Sequence, residues 1–249
     1  MPLSALLRIT IFLCSIGLAA GCATTDKVKS ASPESMVKQA DDMVAKGHYD
    51  DAIGQWKKVK ESYRSPELTA MAELKIADAY FAKESWIEAA AAYEDFRKLH
   101  PQSDKAPYAL YRMALSHYNQ IEKIDTDQTP VKNAAAALET FLKYYPQSEY
   151  AKDANLKLAL CKLKMAQYEL YVGRFYYRTD KYVSAVGRFE GILKKYPDFP
   201  IIDETLFYLG ASYLQIGELG KGRDTLNRLL KEFPAGKYAE KARKLLASS

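Results

Sequence analysis

The chain has 249 residues, 48% of them hydrophobic, and a formal net charge of +5 from 36 basic and 31 acidic side chains. That balance is ordinary for a soluble protein and too mild and evenly mixed for a nucleic-acid surface, so no nucleic-acid partner is expected. Nineteen tyrosines are many, and in a helical protein they serve as large wedges with a polar tip.

Residues 1–21 read as a leader. Arg8 gives the positive start, and Ile9 to Ile16 form an apolar run too short to span a bilayer. The leader closes with Leu18-Ala19-Ala20-Gly21-Cys22, which resembles the lipobox of bacterial lipoproteins. In those proteins cleavage precedes a cysteine that takes a thioether-linked diacylglycerol, so Cys22 is the lipidation site the resemblance implies. Each buried methylene contributes about 0.8 kcal/mol and stable anchoring takes two chains, which a diacylglyceryl group plus an N-terminal acyl chain exceeds. Ala23 follows Cys22 where aspartate marks inner-membrane retention in such lipoproteins, so the resemblance implies the periplasmic face of the outer membrane. Residues 22–31 are polar and aperiodic, a lipidated tether reaching at most about 30 Å. With Cys14 in the leader and Cys22 acylated, Cys161 stands alone and is expected as a buried, inert thiol.

From residue 32 the apolar positions follow a helical period, and no run alternates with period two for long, so no sheet is expected. The spacing predicts helix pairs at 33–46 with 50–63, 66–83 with 86–99, 105–121 with 130–145, 149–179 with 182–195, and 203–216 with 219–232, and a last helix near 237–247. Ser32-Pro33, Ser65-Pro66 and Thr129-Pro130 read as cap and first-turn proline. Pro101, Pro146, Pro197 and Pro234 end the second helices, because proline lacks a donor and clashes with the preceding turn. His100-Pro101-Gln102-Ser103-Asp104 matches Tyr145-Pro146-Gln147-Ser148-Glu149, with serine expected to cap the next helix and the acid to sit in its first turn.

The pairs repeat. Gly47-His48-Tyr49, then Ala52 and Trp56, returns as Ser85-Trp86, Ala89 and Tyr93, as Lys181-Tyr182, Ala185 and Phe189, and as Glu218-Leu219, Gly222 and Leu226. Ala52 to Ala89 is 37 residues, and so is Ala185 to Gly222. Small residues at Ala77, Ala114, Gly173 and Gly210 on the first helices permit close crossing with those on the second. A period in the mid-thirties built of paired helices is that of tetratricopeptide repeats. The fold class expected is all-α: a superhelical solenoid of about five helix pairs plus a C-terminal helix, preceded by the signal peptide. Residues 32–249 form it, with N-terminal repeats at 32–101 and C-terminal repeats at 105–249. First helices of such stacks line a groove that takes extended or helical peptides.

Two stretches break the period. Residues 119–128 are an insertion in the third pair, and insertions in repeats map to one face. Residues 149–179 are expected to form one long helix carrying Tyr168, Tyr171, Phe175 and Tyr176 that projects beyond its partner and leaves part of a face for another protein. Chemistry is hard to place. His48, His100 and His117 lie in different repeats without metal-ligand spacing, and no phosphate loop, nucleophile elbow or dinucleotide motif occurs. The expectation is a binding scaffold rather than an enzyme, with no cofactor.

The segment Tyr176-Tyr177-Arg178 through Tyr182, Ala185-Val186-Gly187-Arg188-Phe189-Glu190-Gly191 to Tyr196-Pro197-Asp198 resembles the BamD family of outer-membrane assembly lipoproteins, as does Tyr145-Pro146-Gln147-Ser148-Glu149-Tyr150. The resemblance covers Cys22 to about Arg243. It implies a non-catalytic scaffold of the β-barrel assembly machinery. The family's later repeats hold the POTRA region of the barrel insertase BamA, its first repeats take the terminal signal of unfolded outer-membrane proteins, and other lipoproteins of the machinery join it. Arg188 matches the arginine of the family's R-x-E-G motif and is the candidate insertase contact. Tyr63 matches the tyrosine of a turn implicated in substrate contact, with Arg64 where the family has proline. The other reading of an envelope repeat protein is a periplasmic coordinator of the Tol-Pal and cell-division type, but those carry a coiled coil and an ordinary leader.

Overall fold

The computed structural model describes residues 32–62 and 65–248. Cys22 and Tyr63, together with the expected leader and tether over residues 1–31, lie outside the described residues. The described chain forms α1 (Pro33–Ala45), α2 (Tyr49–Ser62), α3 (Pro66–Ala82), α4 (Trp86–Leu99), α5 (Ala106–Asn119), α6 (Thr129–Tyr144), α7 (Ala151–Arg178), α8 (Tyr182–Lys195), α9 (Ile202–Gln215), α10 (Leu219–Glu232) and α11 (Ala239–Ser248). Among the described residues there is no strand. The helices are those the period predicts, to within a residue or two at each end.

Two kinds of turn alternate. Inside a pair, the first helix closes with an N–H to C=O bond reaching back five residues: His48 to Met43, Ser85 to Tyr80, Lys181 to Tyr176 and Glu218 to Tyr213. This is the Schellman arrangement, and it needs a left-handed residue just before the donor. Gly47 (φ 75°), Glu84 (φ 61°), Asp180 (φ 57°) and Gly217 (φ 82°) fill that place. Between pairs, a last helical bond followed by two three-residue steps occurs four times. At its first occurrence His100 N–H donates to Phe96, Ser103 to His100 and Ala106 to Ser103.

Two details of the capping differ from expectation. Ser32 and Ser65 do cap, their Oγ atoms accepting from the Ser35 and Leu68 N–H groups at 3.3 Å each. Thr129, however, is the first residue of α6, and Asp127 Oδ1 accepts from its N–H at 2.9 Å and from its hydroxyl at 2.8 Å. Ser103 and Ser148 accept from Lys105 and Tyr150 N–H within the turn, and the helices begin at Ala106 and Ala151. The three-residue steps consume those positions, so Asp104 and Glu149 precede the first turn rather than lying in it.

Packing follows chain order, each helix lying on its predecessor and successor, with α7 also touching α5 and α9. Four apolar clusters succeed one another along the stack. Trp56 anchors the first, Tyr93 and Phe96 the second, Leu138 and Phe141 the third, Phe189 and Leu226 the last. Each such buried side chain contributes about 1.5–3 kcal/mol. The small positions face the large ones as their spacing requires. A Cβ on Gly210 would stand 2.7 Å from Leu226 Cγ, and one on Gly222 2.6 Å from Leu214 Cδ2.

The long helix α7 has 28 residues, about 42 Å at 1.5 Å per residue. Its first half, through Cys161, packs into the third cluster. Its second half, through Ala166 and Leu170, packs into the last, and Met165 touches both. Its length is therefore spent on two neighbours rather than on an overhang. Cys161 is fully buried, and burial pushes its thiol up to about 11.

Candidate partner-binding surfaces

Arg188 lies on α8, one residue before Phe189. Phe189 faces inward, so Arg188 is turned to the rim between α8 and α7. Its Nη1 donates to Glu169 Oε2 at 2.8 Å, and the guanidinium carbon lies 5.9 Å from the Tyr176 ring. The bond from Glu169 raises its pKa further, against a smaller opposing effect of burial. The side chain keeps 40% of its surface exposed beside a cleft of about 330 Å³ that includes Gly187, Gly191 and Lys195. A charged fork held by one carboxylate at the surface is positioned to take a second one. Glu190, its neighbour in sequence, is engaged elsewhere, accepting from the Tyr213 hydroxyl.

A second surface lies over α2, α3 and α4. Ile76, Tyr80, Phe96 and Leu99 line a groove of about 540 Å³ with Lys57 and Lys60 among its polar groups. At its end Glu73 receives Lys60 Nζ and bonds His100 Nε2, each at 2.6 Å. Burial pushes the Glu73 carboxyl up, but the bonds from Lys60 and His100 together outweigh it and hold it below its ordinary value. Tyr63, the residue after α2, is outside the described residues, so its relation to this groove is not part of the geometry.

The third surface is the outer face of α7. Leu156, Leu160, Tyr171 and Phe175 are 59%, 37%, 42% and 47% exposed. Their spacing of four within each pair puts them along one stripe. The sequence reading expects such a face, and α7 provides it along its side rather than at a projecting end.

Sequence reasoning missed one polar cluster. Asp78 Oδ1 accepts from Tyr93 Oη at 2.5 Å and from Tyr108 Oη at 2.8 Å. Arg112 Nε donates to the Tyr93 oxygen at 3.2 Å and stacks 3.5 Å above the Phe81 ring centroid. The signal was there: Asp78 is a lone acid between Ala77 and Ala79, both buried. A buried helix face carries an acid only where donors meet it.

Stacked antiparallel helix pairs with Schellman turns define the chain as a tetratricopeptide-repeat solenoid. The model of the YfiO family, described as "Outer membrane lipoprotein", matches residues 29–225. The chain belongs to this family. It is 28% identical to the outer membrane protein assembly factor BamD of Caulobacter vibrioides, over 91% of this chain and 76% of that protein. To BamD of Vibrio cholerae serotype O1 it is 27% identical, over 82% and 90%, and to that of Neisseria meningitidis serogroup A 27%, over 90% and 91%. Among solved structures, the TPR2AB domain of yeast Sti1 in complex with a pHSP90 covers 81% of this chain and 78% of its own, at 12% identity and a TM-score of 0.43. The repeat assignment rests on the helices themselves.

Proposed function

We propose that the protein is a non-catalytic scaffold of the outer-membrane β-barrel assembly machinery, anchored through Cys22 at the periplasmic face of the outer membrane. Residues 1–21 are its lipoprotein signal peptide and 22–31 its tether. The observation that carries this reading is the family match across residues 29–225, joined to relatives named assembly factors over most of both chains. Within the reading, the C-terminal repeats bind the POTRA region of the barrel insertase, with Arg188 pairing an acidic side chain of that partner. The stripe Leu156, Leu160, Tyr171 and Phe175 offers exposed apolar area on another face of α7. The N-terminal repeats, including Tyr63, take signals of unfolded outer-membrane proteins, and other lipoproteins of the machinery share the scaffold.

Depleting the protein is expected to lower the amount of folded β-barrel proteins in the outer membrane, and Arg188→Glu to weaken co-purification of the insertase. Unchanged barrel levels on depletion would remove the reading.

A further inference from the structure

The connection between α5 and α6, residues 120–128, replaces the Schellman turn found in the other pairs, and it builds a cleft. Glu84, Trp86, Ile87 and Glu88 form one wall, from the turn between α3 and α4. Glu122 and Asp127 of the connection belong to the other, and the volume is about 680 Å³. The walls are tied together: Gln120 Nε2 donates to the Trp86 carbonyl at 3.3 Å, and Trp86 packs edge-on against Phe81 at 4.9 Å. The connection is held by its own bonds, Thr126 Oγ1 to the Lys123 carbonyl at 2.7 Å and Gln128 Nε2 to the Thr126 carbonyl at 2.9 Å. The cleft is thus a formed feature of the surface.

Its chemistry is one-sided. No lysine or arginine lines it, and Glu84, Glu88 and Glu122 make no ion pair among the described residues. Between the carboxylates, Ile87 is 71% exposed beside the half-buried Trp86. Among the described residues no group of three or more His, Cys, Asp or Glu is placed to hold a metal ion, so one small cation does not answer this charge. A longer ligand with several separated cations does. Glu84 holds the left-handed turn position that Gly47, Asp180 and Gly217 hold in the other pairs, where a side chain is strained.

We propose that this cleft docks a short cationic segment of a partner protein, in which lysine or arginine alternates with aliphatic residues. Aliphatic side chains cover Ile87 and Trp86, and the cations meet Glu84, Glu88, Glu122 and Asp127. Like charges gathered on a low-dielectric wall focus the field outward, which favours a complementary segment over a neutral one. This goes beyond the assembly role above and does not depend on Arg188 or on the family's partners.

The test uses the purified full chain in detergent and a fluorescein-labelled peptide of four Lys-Val repeats, followed by fluorescence anisotropy. Saturable binding that weakens with salt is expected, with no binding of a Glu-Val peptide. Ile87→Ser, and separately the triple variant E84Q/E88Q/E122Q, are expected to weaken it at least tenfold. Glu84→Gly separates fold from function: its Tm rises while its peptide affinity falls. The variant E232Q/E240Q, on α10 and α11, keeps wild-type binding. Absence of binding to the wild type, equal loss in E232Q/E240Q, or unchanged affinity in the cleft variants overturns the proposal. Barrel-protein levels report on the assembly role independently.

Discussion

Gly173 of α7 and Phe189 of α8 meet with no room for a methyl group: a Cβ on Gly173 would lie 2.5 Å from Phe189 Cε1. Phe189 is fully buried and stacked on Tyr208 with ring centroids 6.0 Å apart, so it has nowhere to go. Gly173→Ala is predicted to destabilise the protein by about 1–3 kcal/mol, the usual result of overpacking, despite the better helix propensity of alanine. Gly54→Ala is the control. It lies within α2 with nothing within 4 Å of its added Cβ, and a gain of about 0.5–1 kcal/mol is expected. Urea unfolding of both variants checks the pair, and a stable Gly173→Ala protein would contradict the packing.

Removing the carboxylate of Asp78 strips the acceptor from two phenols at once, one of them on the fully buried Tyr93. A buried donor left without a partner costs about 1–3 kcal/mol. Asp78→Ala is expected to lose at least that much, and Tyr93→Phe combined with Asp78→Ala to lose less than the sum of the two. A double-mutant cycle measures the coupling.

High pH attacks the same cluster. Burial first, and then the Asp78 charge, pushes the Tyr108 phenol up to about 12. A group whose pKa is raised on folding adds stability that is whole below its unfolded value near 10 and is lost as pH climbs through the folded value. Unfolding midpoints are therefore expected to fall between pH 10 and 12, and to fall less steeply in Tyr108→Phe. Parallel slopes for the two proteins would show that Tyr108 carries none of the effect.

Cys161 should resist thiol reagents while the fold holds. Burial both shields it and keeps the thiolate scarce, with the pKa near 11. In a chain beginning at residue 32, where Cys161 is the one cysteine, labelling by a disulfide reagent at pH 8 is expected to appear only across the urea transition. Rapid labelling without denaturant would refute the burial.

Much of the architecture was legible because repeats state each rule several times. Ala52, Ala89 and Ala185 recur at one register, and all three are fully buried beneath Trp56, Tyr93 and Phe189. What sequence could not show was which acid meets which base. Arg188 and Glu190 are two apart on a helix and face different ways, and the partner of Arg188 is Glu169, nineteen positions back on α7. The cap of α6 was misplaced for a similar reason. Asp127 and Thr129 both suit a helix start, and only the course of the connection puts the Asp127 carboxylate on the Thr129 N–H. The cleft between the second and third pairs was legible only as an insertion, since its walls lie more than thirty residues apart in sequence.

A pile of short hairpins comes apart a rung at a time, weakest where two rungs share least. Here the joint between the third rung and the fourth is crossed by a single unbroken rod, α7, rooted in the packing on either side. It acts as a splint. The third and last clusters are thereby joined through one continuous helix rather than across a turn.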